Sequence, residues 1–226
     1  MKPEESARLV TQPDTQLSGL YYPNRFARHL YLALAGEIGE SGLNALLSVV
    51  RNMTPQYAAH IDQLPVDNLD RAYDFALLAA LNHGLDRMYG PRGGRGMALR
   101  VGQRWFRGGM QSFGALAGMS HPQVRALPED ARVALALRSL VEMFARFSDQ
   151  ATRLDAADDV QYIIVDPSPL AWGQTTERPT CHLLVGVFAA CLDAVAGQGR
   201  YVVRETQCRA SGAPLCRFEI TPQTRA

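Results

Sequence analysis

The cysteines limit the fold of this chain more than any other feature. Four occur in 226 residues, and Cys208 and Cys216 lie in the C-terminal segment RETQCRASGAPLCRFEI. Two strands joined by the turn RASGA are predicted there, so these two thiols would lie on neighbouring strands, close enough to share an ion. Cys181 precedes an apolar helical pattern and could reach the hairpin from the start of that helix. Cys191 follows ten residues later, ~15 Å along the same helix axis, so we expect it to be a packed core thiol.

Glu205 is a candidate fourth member of this cysteine group. It precedes Cys208 by three residues, and a regular strand would send the two side chains to opposite faces. Both can bind one ion only if the strand bends or bulges between them. His182 is the alternative, although as the helix neighbour of Cys181 we expect it to point elsewhere. Three thiolates and a carboxylate suit Zn²⁺; reduced core cysteines and a Cys208–Cys216 disulfide are the other interpretations.

Composition indicates an ordinary soluble protein. The formal net charge is +1, which gives no reason to expect nucleic acid or an anionic membrane as a partner. The N-terminal stretch lacks an apolar run, and no uncharged apolar run reaches the ~20 residues of a spanning helix. We therefore expect a cytoplasmic protein without membrane insertion, in a compartment where thiols stay reduced.

Hydrophobic periodicity predicts helices over the N-terminal two-thirds of the chain. A first helix opens at Pro23, where a first-turn proline is favourable, and a second restarts after Gly39. The longest is predicted over residues 66–90, with Leu69 and Tyr73 in its apolar stripe. Further helices are predicted after the Gly-Pro turn that follows and after the proline at 128.

The pattern changes after residue 150. Two extended segments are predicted first, and the second, residues 160–165, is apolar on both faces as in a covered strand. The helix that starts near Cys181 and the C-terminal hairpin follow. This order predicts an α+β fold, with the helical part packed on a small antiparallel sheet that ends in the C-terminal hairpin. A zinc-bound hairpin is the interpretation that the cysteine group favours. We expect a polar tail over residues 1–18, one domain over 19–221 and a short tail over 222–226.

The C-terminal pattern resembles the 4-vinyl-reductase (hydrocarbon-binding) domain family. The residues that carry the resemblance are Cys181, Gly186, Glu205, Cys208, Gly212, Cys216 and Phe218. The family is related to aromatic-sensing regulator domains, transport-particle core subunits and nitric-oxide-sensing domains. The resemblance implies their α/β fold with a hydrophobic cavity, and it implies a zinc site formed by Cys181, Glu205, Cys208 and Cys216.

The resemblance favours a binding or sensing module over an enzyme. We expect a homodimer that holds a hydrophobic or aromatic small molecule beside a structural zinc ion, and we name no catalytic residue. Candidate lining residues are the aromatic side chains of Trp105, Phe106, Phe113, Phe144, Tyr162 and Trp172. His83 and His121 are candidate polar anchors.

Two alternatives come from the same resemblance. One is a 4-vinyl reductase of bacteriochlorophyll biosynthesis, or a carrier of its tetrapyrrole. The sequence contains no dinucleotide fingerprint, flavin signature or iron–sulfur pattern to supply a hydride, which disfavours the catalytic version. The other is a ligand-free assembly subunit like those of the transport particle.

Overall fold

The computed structural model describes residues 17–109, 111, 113–157 and 160–223. The expected terminal tails fall largely outside these ranges, at residues 1–16 and 224–226. Two residues assigned to tails belong to the folded part: the Ser18 hydroxyl donates to Asp74 Oδ1 at 2.7 Å, and Pro222 ends the last strand.

The helices form much as periodicity predicts. They are α1 (Asn24–Met53), α2 (Ala58–Ile61), α3 (Phe75–Gly108), α4 (Gly114–Ala117), α5 (Pro122–Arg125), α6 (Glu129–Phe147) and α7 (His182–Ala196). Both long helices bend at a glycine in the left-handed region, Gly39 in α1 and Gly90 in α3, with φ of 74° and 73°. The predicted breaks at these glycines are therefore confirmed, although the helical path resumes directly after each one. No helix among the described residues is long and apolar enough to cross a membrane.

The start of the long third helix differs from the prediction. Leu69 and Tyr73 precede α3, and strand β2 (Arg71–Asp74) pairs antiparallel with β1 (Tyr21–Pro23). Asp74 ends this pairing because its carboxylate accepts from the Ala76 backbone N–H at 2.7 Å and so caps α3. The Tyr73 side chain is buried, with its hydroxyl 3.0 Å from another buried tyrosine hydroxyl.

The second sheet carries the C-terminal hairpin. Its strands are β3 (Thr152–Ala157), β4 (Val160–Val165), β5 (Tyr201–Gln207) and β6 (Cys216–Pro222), in the order β3-β4-β6-β5 with every pair antiparallel. The α+β class and the antiparallel sheet are confirmed. Helix α7 packs on the inner face of this sheet, where Phe188 meets Phe218 edge to face with ring centroids 4.9 Å apart.

Helix α7 is fixed against α3 by two facing glycines. A Cβ on Gly102 would overlap the carbonyl oxygen of Leu183, and a Cβ on Gly186 would overlap that of Leu99 and lie 3.0 Å from the Gly102 Cα. Both obstacles are backbone atoms, which cannot move aside as a flexible side chain can. The two helices therefore touch along their backbones, and this contact positions the N-terminus of α7, where Cys181 lies.

We expect Gly186→Ala to lower the free energy of unfolding by about 1–3 kcal/mol, because the added methyl group must push two helix backbones apart. Gly108→Ala is the matched control, since a Cβ there meets nothing within 4 Å. It should leave stability unchanged or raise it by up to about 1 kcal/mol. Urea unfolding measures both, and equal stability of the two variants would contradict the close helix contact.

Candidate metal centre and adjoining pocket

Four side chains from three parts of the chain meet at the base of α7. The thiols of Cys181, Cys208 and Cys216 and one carboxylate oxygen of Glu205 all lie within 4.8 Å of one another. Cys181 Sγ is 3.7 Å from Cys216 Sγ and 4.0 Å from Cys208 Sγ. All three thiols are completely buried, and none of the cysteines forms a disulfide.

A bulge in β5 turns Glu205 and Cys208 to the same side. Glu205 pairs with Phe218, an inward residue, whereas Gln207 pairs with Arg217, so one extra residue lies between the two pairs. Without it, Cys208 would face outward, opposite to Glu205. The strand bulge that the three-residue separation of Glu205 and Cys208 requires is therefore present.

The Glu205 carboxylate is buried and only half satisfied. Its Oε2 accepts from the backbone N–H of Cys181 at 2.8 Å, but its Oε1 is buried without a hydrogen-bond partner. Burial, together with the charge of the nearby Cys208 thiol, raises the pKa of Glu205 to about 9. A buried acceptor without a donor costs free energy, and a cation at this point would remove that cost.

The thiols differ in how readily they ionise. Hydrogen bonds from the Cys181 and Cys208 thiols, reinforced by the Arg209 backbone N–H at 3.3 Å, lower the pKa of Cys216 to about 4. Burial raises the pKa of Cys181 well above its usual range, and the neighbouring thiols raise it further. One thiolate is thus favoured by the protein itself, while the raised pKa values of Cys181 and Glu205 mean that these two groups need a nearby positive charge before they ionise.

These four groups fit a zinc ion. Tetrahedral zinc with Zn–S bonds of ~2.3 Å places its sulfur ligands about 3.8 Å apart, close to the separations of 3.7 and 4.0 Å found here. The widest separation, 4.8 Å, would close by about 1 Å. Three thiolates and a carboxylate would complete four-coordination and leave no position open for a substrate.

The other candidate ligands lie apart from this cluster. His182 follows Cys181 but is not among the grouped ligand atoms, and burial lowers its pKa to about 4. Cys191 is buried in the core, where its thiol faces the carbonyl of Ala136 at 4.0 Å.

A pocket of about 220 Å³ opens beside α3, away from most of the predicted lining residues. It is lined by Met53, Thr54, Gln56, Tyr57, Ala76, Ala80, His83, Arg87, Trp172 and Gln174. Of the six aromatic residues predicted to line a cavity, Trp172 does so here. His83 lines it too, whereas His121 is exposed and accepts from the Gln123 backbone N–H.

The other five aromatic residues lie elsewhere. Trp105, Phe106, Phe113 and Phe144 are buried in the core. The Trp105 indole N–H donates to the carbonyl of Phe26 at 2.8 Å, so its polar atom already has a partner. Tyr162 lies on the sheet, and the guanidinium carbon of Arg217 is 3.6 Å from the centroid of the tyrosine ring.

One loop, residues 166–181, belongs to both the cysteine cluster and the pocket. Ser168 Oγ lies 3.3 Å from Cys181 Sγ, and the Thr176 backbone N–H donates to the Ala210 carbonyl at 2.8 Å. Between these attachments the loop supplies Trp172 and Gln174 to the pocket wall. The position of that wall therefore depends on the cluster.

Comparison with known proteins points to this same part of the chain. Residues 162–222, from β4 to β6, match the sequence model of the 4-vinyl-reductase domain. A curated relative, the bacteriochlorophyll synthase 23 kDa chain of Cereibacter sphaeroides, is 38% identical over 58 residues. That match spans 26% of this chain and 28% of the relative.

The fold of an H-NOX protein extends the likeness to the helical part. An H-NOX protein from S. oneidensis, solved in its Fe(II)NO ligation state, is 12% identical to this chain. The match covers 87% of this chain and 99% of the H-NOX chain, with a TM-score of 0.53. The phenol-responsive sensory domain of the transcription activator PoxR, solved with phenol, is 17% identical. That match covers 70% of this chain and 79% of the sensory domain, with a TM-score of 0.48. The H-NOX likeness establishes a shared fold and nothing about ligands.

We expect Glu205→Gln to weaken metal binding about tenfold or more, because an amide is a poorer ligand than a carboxylate. His182→Gln is the control and should bind metal as the unmodified chain does. Competition with a chromophoric chelator measures both affinities. Retention of metal by Glu205→Gln together with its loss from His182→Gln would identify the histidine as the fourth ligand.

Proposed function

Because the chain carries a 4-vinyl-reductase domain over residues 162–222, we propose that it is a small-molecule-binding module whose pocket wall is held by a structural zinc ion. The ligand would be a small hydrophobic or aromatic molecule. The shared loop that connects the cysteine cluster with Trp172 and Gln174 carries this proposal. A cytoplasmic location and a homodimeric state stay predictions from the sequence.

Zinc would act in this module as a cross-link between segments distant in sequence. Bound by Cys181, Glu205, Cys208 and Cys216, it would join the start of α7 to both strands of the hairpin. Its closed ligand set supports structure and offers no site for substrate activation. The orphaned Glu205 Oε1 supports the assignment, since a buried carboxylate oxygen without a donor is a natural metal ligand.

The pocket supports binding of a compact ligand. Its volume of about 220 Å³ is below the ~300–1,000 Å³ typical of sites for drug-sized molecules, so a ligand of one or two rings is favoured. Tyr57 and Trp172 offer aromatic surface, while the small side chains of Ala76 and Ala80 leave room between them.

The second candidate function is carriage of a tetrapyrrole, which the name of the Cereibacter sphaeroides relative favours. The matched segment covers 28% of that protein, so its role in bacteriochlorophyll synthesis is an analogy for this chain. A macrocycle would need more room than the pocket beside α3 offers. Copurification of a coloured pigment with the protein would favour carriage.

We expect the purified protein to contain about one zinc ion per chain, and Cys208→Ser to lose it together with the order of the hairpin. Mass spectrometry of metal content and hydrogen exchange of β5 and β6 measure both effects. Cys191→Ser is the control, since Cys191 is the one cysteine that lies outside the cluster. A stable, metal-free Cys208→Ser protein with an ordered hairpin would refute the structural role of zinc.

We expect a neutral aromatic probe, 2-naphthamide, to bind the zinc-loaded protein and to bind about tenfold more weakly after Trp172→Ala, because stacking on the indole is lost. Tyr162→Ala removes an aromatic residue of the predicted set that lies outside the pocket, and it should leave the affinity unchanged. Isothermal titration calorimetry measures each affinity. Removal of zinc with a chelator should weaken binding of the probe as well. An affinity that changes neither on removal of zinc nor after Trp172→Ala would contradict the proposal.

A further inference from the structure

The residues that line the pocket carry a positive charge at one end and no negative charge. Ala76, Ala80, His83 and Arg87 are spaced four, three and four residues apart on α3, so they lie along one stripe of the helix. The stripe runs from two small apolar side chains to a histidine and then to an arginine. None of the pocket's lining residues is acidic. The apolar end and the cationic end of the pocket are therefore separated along the helix.

Arg87 is available to a ligand. Its side chain is exposed at the pocket, and no carboxylate lies within ion-pair distance of it among the described residues. Other arginines of the described chain do have a carboxylate partner, namely Arg25, Arg51, Arg71, Arg100, Arg104, Arg200 and Arg209. A cation without an ion-pair partner at the edge of a pocket attracts an anionic group of a bound molecule.

The neighbouring polar residues reinforce this preference. Burial lowers the pKa of His83, and the adjacent Arg87 lowers it further, so the imidazole is neutral near pH 7 and can donate one hydrogen bond. The side-chain amides of Gln56 and Gln174, which come from two other segments, add donors to the pocket lining. Arginine contributes a planar fork that matches the two oxygens of a carboxylate.

We propose that the pocket selects an aromatic carboxylate, with its ring between Trp172 and the alanines of α3 and its carboxylate at Arg87. This assignment rests on the proposed small-molecule-binding function and narrows it to an anionic ligand class. Arg87 is then the residue that determines specificity, while Trp172 supplies the apolar contact common to charged and neutral ring compounds.

A pair of isosteric probes tests the assignment on the full, zinc-loaded chain. We expect 2-naphthoate to bind about tenfold more tightly than 2-naphthamide, because only the former gains a charge-assisted pair with Arg87. Arg87→Gln should remove the preference for naphthoate and reduce naphthoate affinity much more than amide affinity. Arg92→Gln is the matched control, since Arg92 is exposed on the same helix and does not line the pocket.

The outcomes separate this assignment from the proposed function. Equal affinity for the two probes, or a naphthoate preference that survives Arg87→Gln or disappears in Arg92→Gln, would overturn the anionic ligand class. The binding function would stand in that case if amide binding still required Trp172. Failure of both probes to bind would overturn both proposals. Zinc content and circular dichroism of each variant verify that the fold is retained.

Discussion

The buried cluster of Cys181, Glu205, Cys208 and Cys216 is the interaction on which the C-terminal half depends. It gathers acidic groups from a helix start and two strands into one buried point, and one carboxyl oxygen there has no hydrogen-bond partner. A buried carboxyl oxygen without a hydrogen-bond partner carries a desolvation cost, which a cation bound by the cluster would reduce. With a zinc ion bound, as proposed, the same groups would form a cross-link of the kind that stabilises small zinc domains.

Two backbone features place the cluster. The contact between Gly102 and Gly186 sets α7 against α3 and so fixes the height of Cys181 above the sheet. The bulge after Glu205 then turns Cys208 toward it. The loop between β4 and α7 connects the cluster with the pocket, because it is attached to the cluster and forms one wall of the pocket with Trp172. Local geometry at the cysteine cluster is thereby connected to the shape of the pocket beside α3.

Short-range patterns in the sequence predicted the elements around the cluster. The apolar run of β4, the hairpin turn and the three-residue separation of Glu205 and Cys208 define the strands and the need for a bulge. The strand β2 was missed because Tyr73 fits a helical stripe as well as a strand, and only pairing with β1 decides between them. The pocket beside α3 contains only Trp172 of the six aromatic residues predicted to line a cavity, because large aromatic residues such as Trp105 and Phe144 fill the core by packing on Tyr22. The actual walls combine small and polar residues from three distant segments.

The coordination shell of the bound metal tests the central claim most directly. X-ray absorption at the zinc edge of the purified protein should show three sulfur neighbours at ~2.3 Å and one lighter neighbour at ~2.0 Å. That shell would establish a closed site formed by the three cysteines and Glu205. A shell dominated by oxygen and nitrogen, or a fully reduced protein that takes up no zinc, would contradict the account.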